Sequence, residues 1–268
     1  RVGKDGKPTH VQVMDGLKFL QEHQVDFNVL TTVHTANADH PMEVYRFLRD
    51  EVDARFIQFI PIVERDNDNG FQEGRQATDR SVKGRAYGRF LIEIFDDWVR
   101  HDVGETYVQI FDVTLGVWVG KPGSLCVFAP TCGTALAIEH NGDLYACDHF
   151  VEPRYHLGNI LHTHMAKLAA SKKQIRFGMD KRDRLPGFCR RCEVYFACHG
   201  GCPKNRFSST PDGKRGLNYL CDGYKMFFKH VEEPMRIMAN LLRQGRPPSE
   251  IMLTLPAQAG NDAGKDHL

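Results

Sequence analysis

Eight cysteines, all at or beyond residue 126 of this 268-residue chain, constrain the fold more than any other feature. Five lie between Cys189 and Cys221, at the spacing C-x2-C-x5-C-x3-C-x18-C, and three lie upstream at Cys126, Cys132 and Cys147. Five ligands are too many for one four-ligand site, whereas eight make two such sites with none left over. The sequence therefore predicts two four-cysteine sites built from one region of the chain.

Such a set could be a disulfide framework, a pair of zinc sites or a pair of iron–sulfur sites. Disulfides are disfavoured, because they stabilise small secreted domains and this chain is long and shows no export signal. Structural zinc generally uses paired C-x2-C knuckles, and only Cys189 and Cys192 form one here. A cubane tolerates the irregular remaining gaps, since its ligands lie at the corners of a larger object. The spacing favours iron–sulfur clusters and leaves zinc open.

The first 62 residues predict parallel βα units. Hydrophobic periodicity indicates a helix over 12–23 and another that begins near Asp39, and two apolar runs, 25–33 and 56–62, are typical of buried strands. Two parallel strands cannot close a barrel by themselves, so a larger barrel or a doubly wound sheet is expected. The first residue is Arg and enters mid-domain, and we expect the chain to lack an N-terminal part.

The rest of the chain predicts helices, a hairpin and a tail. The expected segments are a polar loop over 63–85, a helix over 87–100, a strand over 107–111, and helices over 113–119 and 165–177. Asn141-Gly142 predicts a hairpin of strands 135–140 and 143–147, which would hold Cys132 and Cys147 near its opposite ends. A C-terminal helix from about residue 227 is expected to kink at Pro234 and to be followed by a frayed tail from residue 245.

The cysteine region resembles the twin-cluster SPASM domain of radical S-adenosylmethionine (SAM) enzymes, and within that group the anaerobic sulfatase-maturating enzymes. The resemblance rests on the strings CGTALAIEHNGDLYACDHFVEPRYHLGNI and LPGFCRRCEVYFACHGGCPKNR. Upstream, VDFNVLTTV and FIQFIP resemble the last βα units of the family's partial barrel. The family's C-x3-C-x2-C motif, which holds the SAM-cleaving cluster, is absent, as are the first strands.

This resemblance implies an α/β fold. It consists of the C-terminal part of a partial (β/α)6 radical SAM barrel, followed by a SPASM auxiliary-cluster domain with a β-hairpin and a C-terminal helix. The implied division is 1–68 for the barrel units, 69–120 for a linker and amphipathic helix, 121–225 for the SPASM domain, 226–248 for the C-terminal helix and 249–268 for a flexible tail.

The resemblance also assigns the eight cysteines to two auxiliary [4Fe–4S] clusters. The first would be held by Cys126, Cys132, Cys147 and Cys202, and the second by Cys189, Cys192, Cys198 and Cys221. Cys202 lies inside the segment of the second set and would reach back to the first, which would lock both sites into one unit. A third [4Fe–4S] cluster and SAM would belong to the full-length protein, so this chain alone is expected to be inactive.

The family oxidises a Cys or Ser side chain of a sulfatase to Cα-formylglycine, by removal of a Cβ hydrogen, a proton and an electron. By resemblance the base is Asp148, directly after Cys147; a carboxylate desolvated and repelled by an anionic cluster is a better proton acceptor. A turn cap is the alternative role for Asp148. Gln58 and Ile60 fall where the family's sixth strand approaches the adenosine of SAM, and Ile60 could instead be a core residue.

The implied partners are an unfolded or nascent sulfatase polypeptide and an external electron donor or acceptor, in the cytoplasm. A formal net charge of +1 gives no reason to expect nucleic acid, and no apolar run is long enough to suggest a membrane span. Two alternatives stay open: another SPASM enzyme that forms thioethers or crosslinks in peptides, and a zinc-binding interaction module. The sequence does not choose between serine-type and cysteine-type sulfatases.

Overall fold

A short parallel sheet and its covering helices form the first part of the fold. In this computed structural model, which describes residues 2–255, α1 (His10–Glu22) precedes β1 (Val29–Val33), and α2 (Pro41–Arg46) leads through a π-helical turn to β2 (Phe56–Pro61). The two strands pair in parallel, with Val29 opposite Ile57. The predicted βα units are therefore confirmed, in a sheet that does not close on itself within the described residues.

One face of β2 is covered by α3 (Gly84–His101), the helix predicted over 87–100. Successive strand residues point to opposite faces, so β2 buries Ile57 and Phe59 on one face and turns Gln58 and Ile60 to the other. The ring of Phe59 meets that of Phe90 edge to face at 5.2 Å. This packing fixes which β2 side chains face the open side of the sheet.

The apolar run after α3 folds differently from the prediction. A strand over 107–111 and a helix over 113–119 were expected, but β3 (Tyr107–Val108) pairs with β2 over two residues and α4 (Gln109–Trp118) begins at once. The buried residues of this helix are Ile110, Phe111, Thr114 and Leu115. They recur at helical spacing, because α4 packs one face against β2 and the C-terminal helices.

The Asn-Gly hairpin is confirmed, although its strands are shorter than predicted. β4 (Ala137–Ile138) pairs antiparallel with β5 (Asp143–Tyr145), and Gly142 takes the left-handed φ of 87° that the turn requires. A third strand, β6 (His156–Asn159), pairs with β5 and was not predicted. The second hairpin strand, β5, is thus the central strand of a three-stranded antiparallel sheet.

Short helices carry most of the cysteine region. They are α5 (Met165–Ala169), α6 (Lys172–Asp183), α7 (Gly187–Arg190) and α8 (Tyr195–Cys198), followed by the strand pair β7 (Ser208–Ser209) and β8 (Arg215–Leu217). The single helix predicted over 165–177 is therefore wrong. Ser171 interrupts it, because its side chain accepts the backbone N–H of Gln174 and caps a new helix.

Two helices, not one kinked helix, follow: α9 (Cys221–His230) and α10 (Glu232–Arg243). The break falls at Val231, because Pro234 lies in the first turn of α10, where no intrahelical donor is lost. The expected frayed tail instead begins with a 3-10 helix, Pro248–Leu253, whose Ile251 is fully buried. The remainder of that tail lies outside the described residues. No helix within 2–255 is long and apolar enough to cross a membrane.

Candidate functional site

Four cysteines line one cavity, and they are the predicted second set: Cys189, Cys192, Cys198 and Cys221. Cys189 lies on α7, Cys198 ends α8 and Cys221 begins α9, so three helix termini deliver side chains to one place. Apolar side chains, among them Val194 and Leu217, complete the wall. Helix packing thus brings together the first and last of these cysteines, which are 32 residues apart in the sequence.

The first predicted set is also brought together. Burial, followed by the neighbouring thiols of Cys202 and Cys126, raises the pKa of Cys132 to about 11. Burial, a hydrogen bond with Asp148 and the thiol of Cys202 all raise the pKa of Cys147. Cys202 therefore stands beside the hairpin cysteines, although it lies only four residues after Cys198 of the other set.

The thiols must lose protons to bind a metal. Burial raises the pKa of Cys198 and of Cys221 to about 12, which favours the protonated thiols. Metal ligands are thiolates, and binding would release these protons. Within residues 2–255, no three His, Cys, Asp or Glu side chains converge closely enough to hold a single metal ion.

The loop between the two sets fits a sulfur-containing group. His199, between Cys198 and Cys202, has a buried ring nitrogen, Nδ1, with no hydrogen-bond partner among the described residues. A buried polar atom left unsatisfied is costly, and in the tautomer that protonates Nδ1 this nitrogen would donate to a cluster sulfur at this place. Gly200 has a left-handed φ of 73°, which favours glycine, and a Cβ there would also lie 2.3 Å from the Leu185 side chain.

Asp148 follows Cys147 and is exposed, with 66% of its side chain accessible. Its Oδ1 accepts hydrogen bonds from Cys147 Sγ and from the His149 backbone N–H, each at 3.0 Å. Asp148 lines an open cleft, whose opposite wall is the loop that follows β2.

Three residues of this cleft were missed by sequence reasoning: Arg65, Glu152 and Lys204. Lys204 Nζ donates to the Val63 carbonyl at 3.0 Å, and Arg65 donates back to the Lys204 carbonyl. Glu152, only 8% exposed, accepts the Gln72 backbone N–H at 2.6 Å. These contacts connect the loop after β2 to the cysteine region. In the sequence, the one indication of this connection is the position of Lys204, two residues after Cys202.

Gln58 and Ile60 share the face of β2 that turns away from α3. Ile60 is 41% exposed, so it is not a core residue in the described structure. Gln58 lines a cavity with Asn28, Tyr107 and Asp112, separate from the cleft that contains Asp148.

Comparison with known proteins identifies relatives of this chain. The profile of the SPASM iron–sulfur cluster-binding domain matches residues 126–193. A serine-type anaerobic sulfatase-maturating enzyme of Bacteroides thetaiotaomicron is 44% identical over 95% of this chain and 64% of its own length. A cysteine-type enzyme of Clostridium novyi is 29% identical over 90% of this chain and 63% of its own length.

Solved structures of similar fold are also found. The solved structure described as native anSMEcpe with bound AdoMet and Cp18Cys peptide superposes with a TM-score of 0.80 and 27% sequence identity, over 90% of this chain and 65% of that one. The predicted fold class is thereby confirmed, and the chain spans less than two thirds of each of these proteins. In sequence and in fold, this chain is therefore similar to anaerobic sulfatase-maturating enzymes, and its residues 126–193 match the SPASM iron–sulfur cluster-binding domain.

Proposed function

We propose that this chain is the auxiliary-cluster part of a radical SAM enzyme that oxidises a sulfatase Cys or Ser to Cα-formylglycine. The observation that carries the proposal is the grouping of eight cysteines into two sets of four, joined by the loop from Cys198 to Cys202. In this proposal residues 121–225 bind two [4Fe–4S] clusters, residues 1–68 contribute the last barrel units, and 69–120 link them.

The reaction requires the substrate side chain to lose a hydrogen atom from Cβ, a proton from oxygen or sulfur, and an electron. When bound, SAM and the clusters supply the radical that takes the hydrogen atom and the acceptor for the electron. A serine then becomes the aldehyde directly, whereas a cysteine becomes a thioaldehyde that water converts to the aldehyde with release of sulfide. The chain's own task is to hold the peptide and remove the proton.

Asp148 is the proposed base. It is exposed in an open cleft, so a substrate hydroxyl or thiol can reach it. A deprotonated Cys147 could no longer donate to Oδ1 of Asp148, and that oxygen would be free to accept the substrate proton. Gln58 and Ile60, on the open face of β2, are the proposed contacts to SAM.

The proposed partners are an unfolded or nascent sulfatase chain and an external electron donor or acceptor. The cleft beside Asp148 is bordered by the loop after β2 and by the segment after the hairpin, which leaves room for an extended peptide. We place the reaction in the cytoplasm, because thiolate ligands and reduced clusters persist in a reducing compartment.

The decisive experiment is Asp148→Asn in the full-length protein, assayed with sulfatase peptides that carry either Cys or Ser. We expect iron content to be retained and 5′-deoxyadenosine to be formed, while formylglycine falls by about 10² to 10⁴, the usual contribution of a positioned base. Asp222→Asn is the matched control, because Asp222 also directly follows a cysteine of the cavity.

Formylglycine formation at the wild-type rate in Asp148→Asn would assign the base to another residue. Loss of iron from this variant would instead make Asp148 a structural residue of the turn. A control variant as impaired as Asp148→Asn would show that any charge beside a ligand matters, which also removes Asp148 from its proposed role.

A further inference from the structure

Two cations are buried among the cysteines without a carboxylate partner in the described part of the chain. Lys181, on α6, is 1% exposed, and its ammonium donates only to the backbone carbonyls of Cys126, Val127 and Ala129. The partly buried guanidinium of Arg206 likewise bonds only to backbone carbonyls, one of which belongs to Lys181. Charge buried in this way is costly unless an anion compensates for it.

Arg206 determines the shape of the loop that separates the two cysteine sets. It donates to three consecutive carbonyls, those of His199, Gly200 and Gly201, at 2.9, 3.0 and 3.1 Å. All three residues have left-handed φ values, of 45°, 73° and 62°. This loop runs from Cys198, of the second set, to Cys202, of the first. The planar guanidinium of Arg206 therefore stabilises the turn that places these two cysteines in different sets.

The charge of Arg206 reaches both sets, and that of Lys181 reaches one. Arg206 interacts electrostatically with Cys132 and Cys202 of the first set and with Cys189 and Cys198 of the second. The cysteines with which Lys181 interacts are Cys132, Cys202 and Cys126, all of the first set. Thiolates of these cysteines, if they bind clusters, would supply the anions that compensate both cations.

We propose that Arg206 is a positioning residue shared by the two auxiliary clusters, which fixes the Cys198–Cys202 loop and supplies a permanent positive charge that raises both reduction potentials. Lys181 acts on the first cluster alone. A nearby cation stabilises the reduced cluster more than the oxidised one, because reduction adds negative charge. This inference rests on the proposed assignment of the eight cysteines to two clusters.

The test is a redox titration, followed by electron paramagnetic resonance, of the anaerobically reconstituted 268-residue chain. Cys126→Ser and Cys221→Ser chains assign the two signals. In Arg206→Gln, the reduced-to-oxidised ratio at a fixed potential should fall about tenfold for both clusters, a shift of about 59 mV for one electron. In Lys181→Met the first cluster alone should shift, and Arg206→Lys, which keeps the charge, should stay near wild type.

Arg184→Gln is the control, because this arginine lies just after α6 but is exposed and paired with Asp180; neither potential should move. Unchanged potentials in Arg206→Gln, or a shift of one cluster only, would overturn the proposal. If Arg206→Gln binds no iron, the Arg206→Lys variant provides the test. Two clusters with wild-type potentials in Arg206→Lys would support a role for the positive charge shared by both clusters. Failure of Arg206→Lys to assemble clusters would show that Arg206 is only a packing residue. A wild-type chain without clusters would refute the cysteine assignment itself.

Discussion

Asp112 is a half-buried carboxylate in the first turn of α4, in the same cavity as Gln58. Burial raises its pKa from 3.8 to about 7. The folded chain therefore holds this proton more tightly than the unfolded chain does. Its protonated form stabilises the fold fully below about pH 4, and this contribution is lost as the pH rises toward 7.

We expect Asp112→Asn to remove that pH dependence. Between pH 5.5 and 8 the wild-type free energy of unfolding should fall by up to about 2 kcal/mol more than that of the variant, because the amide cannot ionise. Denaturant unfolding of the reconstituted chain at several pH values measures the difference. Asp183→Asn, at an exposed carboxylate, should follow the wild-type curve; an Asp112→Asn curve parallel to wild type would contradict the assignment.

At the scale of single residues, the sequence predicts those residues whose spacing along the chain indicates their chemistry. The eight cysteines are of this kind, whereas Asp148 is proposed only through the resemblance to a known family. Arg206, Lys181 and Asp112 could not be found, because their significance comes from burial. In the string KKQIRFGMDKRD, Lys181 is one of several charges of a helix that looks solvated, and only the packing of α6 on residues 126–129 distinguishes it.

The helices α3 and α9 pack with their backbones in close contact, and glycines allow it. A Cβ on Gly223 would lie 2.0 Å from the Gly84 carbonyl oxygen, and one on Gly88 would lie 2.7 Å from the Gly223 Cα. At Gly223 all three of the nearest atoms belong to the backbone of α3, so no flexible side chain could move aside. This contact joins the helix that covers β2 to the helix that begins at Cys221.

Gly223→Ala should force these helices apart and lower the free energy of unfolding by about 1–3 kcal/mol or more, as overpacked cores do. Gly116→Ala is the matched control, since Gly116 is also helical but has open space around its Cα. There alanine should be neutral or stabilise by up to about 1 kcal/mol, through its higher helix propensity. Denaturant unfolding compares the two, and equal effects would show that the close contact is relaxed in solution.

Elements set by local chemistry were predictable, and elements set by distant partners were not. The Asn-Gly turn specifies its hairpin, and the amphipathic stripe of α3 specifies that helix. The strand β6 exists because β5 offers it an edge, and β3 ends after two residues because α4 has a helical face to bury. Neither partner is visible in the local sequence.

Across the whole molecule, the cysteine region and the apolar core share α9. Cys221 is its first residue, whereas Tyr224, Phe227 and Phe228 are buried in the core. Cys126, in contrast, lies in an exposed position before the hairpin. The second four-cysteine site is therefore coupled to the core more directly than the first.

Cys126→Ser and Cys221→Ser should each remove one cluster, about four of roughly eight irons in the reconstituted chain. Only Cys221→Ser should also markedly lower the unfolding temperature, because the N-terminus of α9 loses its anchor. Iron analysis, absorbance near 400 nm and thermal unfolding test this. A colourless chain that retains zinc would favour the interaction-module alternative, and equal unfolding temperatures would contradict the coupling.

The interleaving of the two cysteine sets has a consequence for how the protein is made. The first set begins with Cys126 but is completed only by Cys202, and the second is completed only by Cys221. A ribosome must therefore translate 76 residues after the first ligand before either site can close, and then both become available within 19 residues. On the proposed cysteine assignment, cluster insertion would be a late and nearly simultaneous event, and a nascent chain stalled before residue 202 would have no complete site to offer an iron donor.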